Sequence, residues 1–329
     1  MPWLVNGDSE GVKAALKRLG DHLPVVMPTE TVYGLAAPTH DATALDRIYT
    51  LKGRPVGNPL IAHVTNAIMA RSIVTDWGDR AEALAAAMWP GPLTLILPKR
   101  ADVPDVATGG LKTIAVRAPA HSIAQALITA VGEPLSAPSA NRSGNVSPTC
   151  AAHVMDDYQT LDAAHNLLVL DGGPCEVGLE STVLSLVEPQ PKLLRPGTVS
   201  CDQLEAIIGP VKDAVSLTQG ASPGSSPRHY APQTKVQLID EATWTPSSMR
   251  LVANVVFIAA SDVALPPGVT AIAMPSDAAS AAASLYALLR EADALAHKVG
   301  AGSIVIIAPP DEPQWRAVRD RLQRAAAIG

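Results

Sequence analysis

The chain has 329 residues, of which 47% are hydrophobic and only 17% charged, and its net charge is −6. That length leaves room for two domains, and that balance excludes a highly charged, disordered chain. Before Pro232 there are 17 Lys and Arg against 22 Asp and Glu, and after it 8 against 9. Neither half therefore offers the basic coat of a general nucleic-acid binder.

The opening residues, MPWLVNGD, lack a basic leader followed by an apolar stretch, so no secretory signal is expected. The first two thirds alternate short β-rich runs with helical patterns. Strands are expected at 24–27, 60–64, 93–97, 113–117, 167–170, 182–186 and 192–194, and helices at 10–18, 42–51, 80–88, 123–131, 150–158 and 201–208. Asp41 and Ser200 occupy N-cap positions. The alternation predicts a mixed α/β domain, and its irregular spacing argues against a simple βαβ series. Residues 219–232, QGASPGSSPRHYAP, read as a linker because Gly, Ser and Pro resist both helix and central strand. Beyond it, strands at 235–239, 254–259, 270–273 and 303–307 and helices at 278–297 and 313–327 predict a small parallel sheet flanked by helices. The division is 1–212, a linker 213–233, and 234–329. Apolar patches such as 253–260 fall short of the ~20 residues that span a bilayer. The cysteines, Cys150, Cys175 and Cys201, show no CxxC spacing, which argues against a disulfide framework or zinc site and for a reducing, cytoplasmic home.

The common nucleotide and hydrolase signatures are missing: no GxxxxGK(S/T), GxGxxG, GxSxG or HExxH occurs. What remains are polar residues at strand ends. Pro28 to Leu35, PTETVYGL, puts two Thr, a Glu and a Tyr after the first apolar run; the plain alternative is a turn whose Thr hydroxyls bond their own backbone. Lys52 and Arg54 bracket Gly53 on a Pro-stiffened loop with Asn58, and the next strand ends in His63. Such a pair suits a polyanion, though most KxR pairs are solvated. Arg117 closes a strand with Thr113 four residues earlier, on the same side of an extended chain. Residues 136–149, SAPSANRSGNVSPT, are too rich in small polar groups for helix or buried strand. They read either as a plain loop or as a surface of backbone, hydroxyl and amide groups beside phosphate or metal. Ser181 opens a further strand and Arg195 closes another. If these ends converge, Lys52, Arg54, Arg117 and Arg195 form a cationic pocket that calls for an anion.

The ordered motifs PTETVYGL, KGRPVGNPLIAHV, WPGPLT, SAPSANRSG, ESTV and LLRPG resemble the YrdC-type domain. With the SPG…RHYAP linker and a second α/β unit, nearly the whole chain is similar to the two-domain L-threonylcarbamoyladenylate synthases. The resemblance implies a twisted, mostly open sheet with a large positive cavity, plus a smaller Rossmann-like C-terminal domain. It also implies a reaction: L-threonine, bicarbonate and ATP give threonylcarbamoyl-AMP and pyrophosphate, for N6-threonylcarbamoyladenosine at position 37 of tRNA. Mg2+ would accompany ATP, with no tightly bound cofactor and no metal ligand directly assigned. The downstream transfer machinery would receive the product; tRNA contact would be weak or indirect, and no membrane is involved.

Carried over by motif, threonine would be held by Thr31, His63, Arg117, the Ala137 backbone and Ser181. ATP would be held by Arg54, Asn58, Thr113, Ser139, Ser147 and Arg195, and Lys52, Arg54, Ser139 and Asn141 would be catalytic. One departure stands out: Ser225-Ser226-Pro227 replaces the family's Met-Lys-Tyr, so Pro227 stands where a linker tyrosine is expected, while Arg228, His229 and Tyr230 persist. Competing readings are an RNA-binding YrdC-like module without turnover and a carbamoyl-transfer maturation factor, the latter lacking its zinc-finger and acylphosphatase-type segments. Arg54→Ala and Arg117→Ala are both expected to abolish activity in a chain that stays folded.

Overall fold

Short local signals set the helix starts. Asp41 accepts from the Ala44 N–H at 3.0 Å, and Ser200 and Gln203 cap each other reciprocally, as their positions predict. The computed structural model describes the chain except residues 162–163, 165–166, 216–228, 246–254 and 328–329. Most of the expected linker, with Ser225, Ser226, Pro227 and Arg228, lies outside the described residues.

Two compact units divide the chain. The first comprises Met1–Ser143, Ser147–Glu176 and Glu180–Ser225, and the second Gly144–Val146, Val177–Leu179 and Ser226–Gly329. The first unit begins with β1 (Trp3–Asn6), α1 (Ser9–Gly20), β2 (Val25–Met27), β3 (Gly34–Pro38), α2 (Ala42–Lys52) and β4 (Ile61–His63). It continues through α3 (Ala67–Arg71), α4 (Asp79–Met88), β5 (Leu93–Pro98), α5 (Asp105–Thr108), β6 (Thr113–Arg117) and α6 (Ser122–Val131). It ends with β7 (Leu135–Ser136), α7 (Ala151–Tyr158), β8 (Leu168–Asp171), β9 (Thr182–Ser185), β10 (Lys192–Arg195), α8 (Cys201–Ile208) and β11 (Lys212–Asp213).

These strands form one mixed sheet in the order β1-β8-β2-β3-β7-β4-β6-β5-β9-β10-β11. Alternation along each strand splits the core between its faces. Val26, Leu35, Ala37 and Val169 join the larger cluster with α2, α4 and α7. Val25, Met27, Ala36, Leu168 and Leu170 face the opposite way, onto α1 and α6. Sequence reasoning missed β1, β3, β7, β11, α3 and α5. The segment GLAAP of β3 lacks β-branched residues, and tertiary pairing with β2 and β7 makes it a strand regardless.

The second unit has the expected parallel sheet, β12 (Lys235–Asp240), β13 (Val255–Ala260), β14 (Thr270–Met274) and β15 (Ser303–Ala308), in the order β12-β15-β13-β14. Helix α9 (Ala278–Val299) buries Ala281, Leu285, Leu289, Ala292 and Ala296 along one stripe. The expected helix 313–327 is a 3-10 turn followed by α10 (Arg316–Ala326). Tyr230 is buried here with φ +60°, its ring 5.5 Å from that of Tyr286 and 5.3 Å from the Arg321 guanidinium. That linker tyrosine is thus part of the second unit's core. Among the described residues no helix is long and apolar enough to cross a membrane.

Candidate active site

One face of the sheet supplies the site's floor. Ile61, Ile96, Ala115 and Val183 cluster there, each from a different strand. Residues two positions away on an extended chain share that face, so His63, Thr94, Arg117, Thr113 and Ser181 project from it too. The register sets His63 beside Arg117, since β4 and β6 run parallel with these residues paired.

Arg117 is 3% exposed and held on three sides. Its Nε donates to the Gly91 carbonyl at 3.2 Å, and Nη1 donates to Thr31 Oγ1 at 2.7 Å. Nη2 lies 2.6 Å from the Glu30 carboxylate. Burial pushes Glu30 up, but the Arg117 charge outweighs it and holds the carboxyl below its ordinary value. Burial pushes His63 down to about 3, and the Arg117 charge pushes the same way. The ring is therefore neutral, and since the Ile61 carbonyl 3.1 Å from Nδ1 can only accept, Nδ1 carries the proton.

Ser181 continues the cluster. Its hydroxyl meets Thr94 Oγ1 at 2.7 Å and accepts from Arg195 Nη2 at 3.2 Å, while Arg195 Nε donates to the Ser181 carbonyl at 3.1 Å. Next to it, the Glu180 carboxylate accepts from the Ser147 hydroxyl at 2.7 Å. Pro148 then accepts from the Tyr33 N–H at 2.9 Å, and the Tyr33 carbonyl accepts from Ala140 N–H at 2.7 Å. This runs into the SAPSAN loop, which Lys52 fastens. The Lys52 ammonium donates to the Ser139 carbonyl at 2.6 Å and to that of Asn141. Burial first, then the Arg54 charge, pushes Lys52 well below the ordinary lysine value.

Many of the expected residues thus fall into local hydrogen-bonded groups: Arg117 with Thr31, Ser181 with Arg195, and Lys52 with the Ser139 and Asn141 carbonyls. The solvated alternative for Lys52 and Arg54 fails, because they are 1% and 8% exposed. Arg54 bonds the Pro59 and Asn58 carbonyls at 3.0 and 3.3 Å. The Ala137 N–H donates to Ile61 at 2.9 Å, so a substrate contact through this backbone falls to its carbonyl. Thr113 shares the Arg117 face but stands at the other end of β6, opposite Pro98, roughly 13 Å away at about 3.3 Å per residue.

In PTETVYGL the turn reading holds for Thr29 but not for Thr31. Thr29 closes a turn, donating to Val32 at 2.6 Å, whereas Thr31 reaches Arg117. The Tyr33 hydroxyl is engaged with Gly173 at 2.7 Å. Sequence reasoning missed Glu30 and Thr94 as members of the cluster. Thr94 was findable by alternation with Ile96; the Glu30 partner was not, because only the folded loop between β2 and β3 brings it to Arg117.

A family profile named Sua5/YciO/YrdC, described as "Telomere recombination", matches residues 18–197, more than half of the chain. The chain belongs to the Sua5/YciO/YrdC family. Residues 199–327 match the profile "Threonylcarbamoyl-AMP synthase, C-terminal domain". The threonylcarbamoyl-AMP synthase of Pyrococcus abyssi is 46% identical over 222 residues, covering 66% of this chain and 64% of that protein. The synthase of Bacillus subtilis is 42% identical over 235 residues, covering 70% of this chain and 66% of that one. Each match spans just under two thirds of the relative. The crystal structure of P. abyssi Sua5 complexed with L-threonine superposes with a TM-score of 0.85 at 34% identity, covering 99% of this chain and 97% of that one. The YciO structure from E. coli, 23% identical with a TM-score of 0.51 over 60% of this chain and 95% of that one, shares the fold of this Sua5/YciO/YrdC domain.

Proposed function

We propose that this chain is an L-threonylcarbamoyladenylate synthase, a nucleotidyltransferase acting on L-threonine, bicarbonate and ATP. The observation that carries the reading is the sheet face shared by Arg117, His63 and Ser181, with Thr31 bonded to Arg117 and Arg195 bonded to Ser181. It sets a guanidinium and hydroxyls suited to an amino acid beside groups suited to phosphates. Relatives bearing this name, and one structure named for its L-threonine complex, support it.

In this reading Arg117 grips the threonine carboxylate, Thr31, Ser181 and the Ala137 backbone bind its polar groups, and neutral His63 meets its hydroxyl. Arg54, Asn58, Thr113, Ser139, Ser147 and Arg195 hold ATP, with Lys52 and Asn141 shaping the loop at the reacting phosphate. The threonine amine adds bicarbonate, losing water, to give a carbamate. A carbamate oxygen then attacks the α-phosphorus, and its bond to the β-phosphate oxygen breaks to release pyrophosphate. The chain supplies position and charge rather than a nucleophile. Magnesium would enter with ATP, as the counter-ion of the triphosphate. The product passes to a tRNA-modifying partner in the cytoplasm, with tRNA contact weak or indirect.

The test is pyrophosphate release. It should require L-threonine, bicarbonate and ATP together, and Arg54→Ala should abolish it in a folded protein. Release without threonine, or full activity in Arg54→Ala, rejects the reading.

A further inference from the structure

Three cationic side chains meet where α2 ends against the SAPSAN loop. Lys52 and Arg54 are bonded to backbone carbonyls, as described above. The third, Arg142, has no role so far. Gly53, between the other two, has φ +60°, and Arg142 Nη2 lies 3.5 Å from where a Cβ on Gly53 would stand. The guanidinium therefore overlies the centre of the Lys-Gly-Arg turn. Its backbone is fixed: Asn141 Nδ2 donates to the Arg142 carbonyl at 2.7 Å, and the Ser143 N–H donates to the Lys52 carbonyl at 2.9 Å. The Arg142 side chain is half-buried and makes no hydrogen bond or ion pair among the described residues. Its charge adds to that of burial and Arg54 in pushing Lys52 down.

Resting on the reading of this site as one for adenylate transfer, we propose that Arg142 binds the β- and γ-phosphates of the nucleoside triphosphate and holds the departing pyrophosphate. The Asp157 carboxylate pushes Lys52 back up but leaves it well below its ordinary value, and a half-buried guanidinium beside two further cations gains from an added anion. Arg142 differs from Lys52 and Arg54 in keeping its whole planar fork available, the geometry that takes two phosphate oxygens at once. Its place selects the distal phosphates. The α-phosphorus must lie near the carbamate, hence towards Thr31, Arg117 and the 137–140 end of the loop. A phosphate chain leading away from there passes Lys52 before it reaches the guanidinium over Gly53.

The experiment titrates ATP, inorganic pyrophosphate and AMP into wild type, Arg142→Gln and Arg142→Lys by calorimetry, after thermal melts confirm folding. Arg142→Gln should weaken ATP and pyrophosphate about tenfold or more, as expected for a lost charge-assisted hydrogen bond, and leave AMP unchanged. Arg142→Lys should recover part of the loss. Unchanged binding of all three in Arg142→Gln, or an equal loss for AMP, overturns the proposal. A wild type that binds neither ATP nor pyrophosphate overturns the adenylate-transfer reading, and this inference with it.

Discussion

The Arg117 guanidinium and the Glu30 carboxylate meet at 2.6 Å with both side chains almost wholly enclosed. Neither charge has water to fall back on, so each is tolerable only because of the other. Glu30→Ala should therefore cost about 3–5 kcal/mol, the usual penalty for orphaning a buried charge. Glu30→Gln, which keeps a carbonyl for Arg117, should cost less. Urea denaturation measures both, and a Glu30→Ala variant as stable as wild type would refute the account. The folded-state pKa of Glu30 is depressed below 4.5. Its contribution is thus fully present above that value and is lost as pH falls through the folded pKa.

The same pair bears on the expectation that Arg117→Ala stays folded. Arg54→Ala exchanges contacts with backbone carbonyls, whereas Arg117→Ala strands the Glu30 carboxylate. The Arg117 variant should be inactive partly because it is less stable. Removing both charges, in Glu30→Gln with Arg117→Met, should restore stability relative to Arg117→Ala while leaving the protein inactive. Thermal melts of the three variants decide it: a double variant no more stable than Arg117→Ala would show that the pair is not coupled.

His63 gives a pH signature. Its folded pKa is near 3 because burial and the Arg117 charge oppose the cation, whereas the unfolded ring titrates near the ordinary 6.5. Between these values the unfolded chain binds a proton that the folded one refuses, so stability falls as pH drops from 6.5 towards 3. His63→Gln should flatten that slope. Denaturation midpoints at pH 7 and pH 5 test it, and an undiminished slope in the variant would assign the effect elsewhere.

Alternation and end position made much of this legible. The runs 93–97 and 113–117 are rich in β-branched or bulky apolar residues, and the second terminates in Arg117, so both the strands and the prominence of that arginine could be read directly. Strand β3 could not, because Gly34, Ala36, Ala37 and Pro38 carry no strand preference and are recruited by their neighbours. The site divides the same way. Lys52, Ser139 and Ser181 are visible as polar groups in turns or at strand ends. That Lys52 spends its ammonium on two carbonyls nearly ninety residues on follows only from packing α2 against the loop.

That fastening predicts the behaviour of Lys52→Met. The substitution keeps most of the side-chain volume and removes every donor, leaving the Ser139 and Asn141 carbonyls without this partner. It should cost about 1–3 kcal/mol and loosen the loop. Hydrogen exchange should accelerate at the Ala140 and Ser143 amides, which donate to Tyr33 and Lys52 carbonyls. Unchanged exchange at both, alongside lost activity, would assign Lys52 a purely chemical role.

Thr94 tests the floor of the site at the point the sequence did not flag. Its side chain is fully buried, and its hydroxyl meets that of Ser181 at 2.7 Å. Ser181 is in turn held by Arg195, so Thr94 fixes which way the Ser181 hydroxyl points. Thr94→Val is close in shape and removes only that partner. It should cost about 1 kcal/mol of stability and, if Ser181 takes the amino acid as proposed, raise KM for L-threonine more than KM for ATP. Arg195→Gln, which disturbs the opposite side of Ser181, should weaken ATP as well. Equal rises in both constants for Thr94→Val would place Ser181 away from the amino acid.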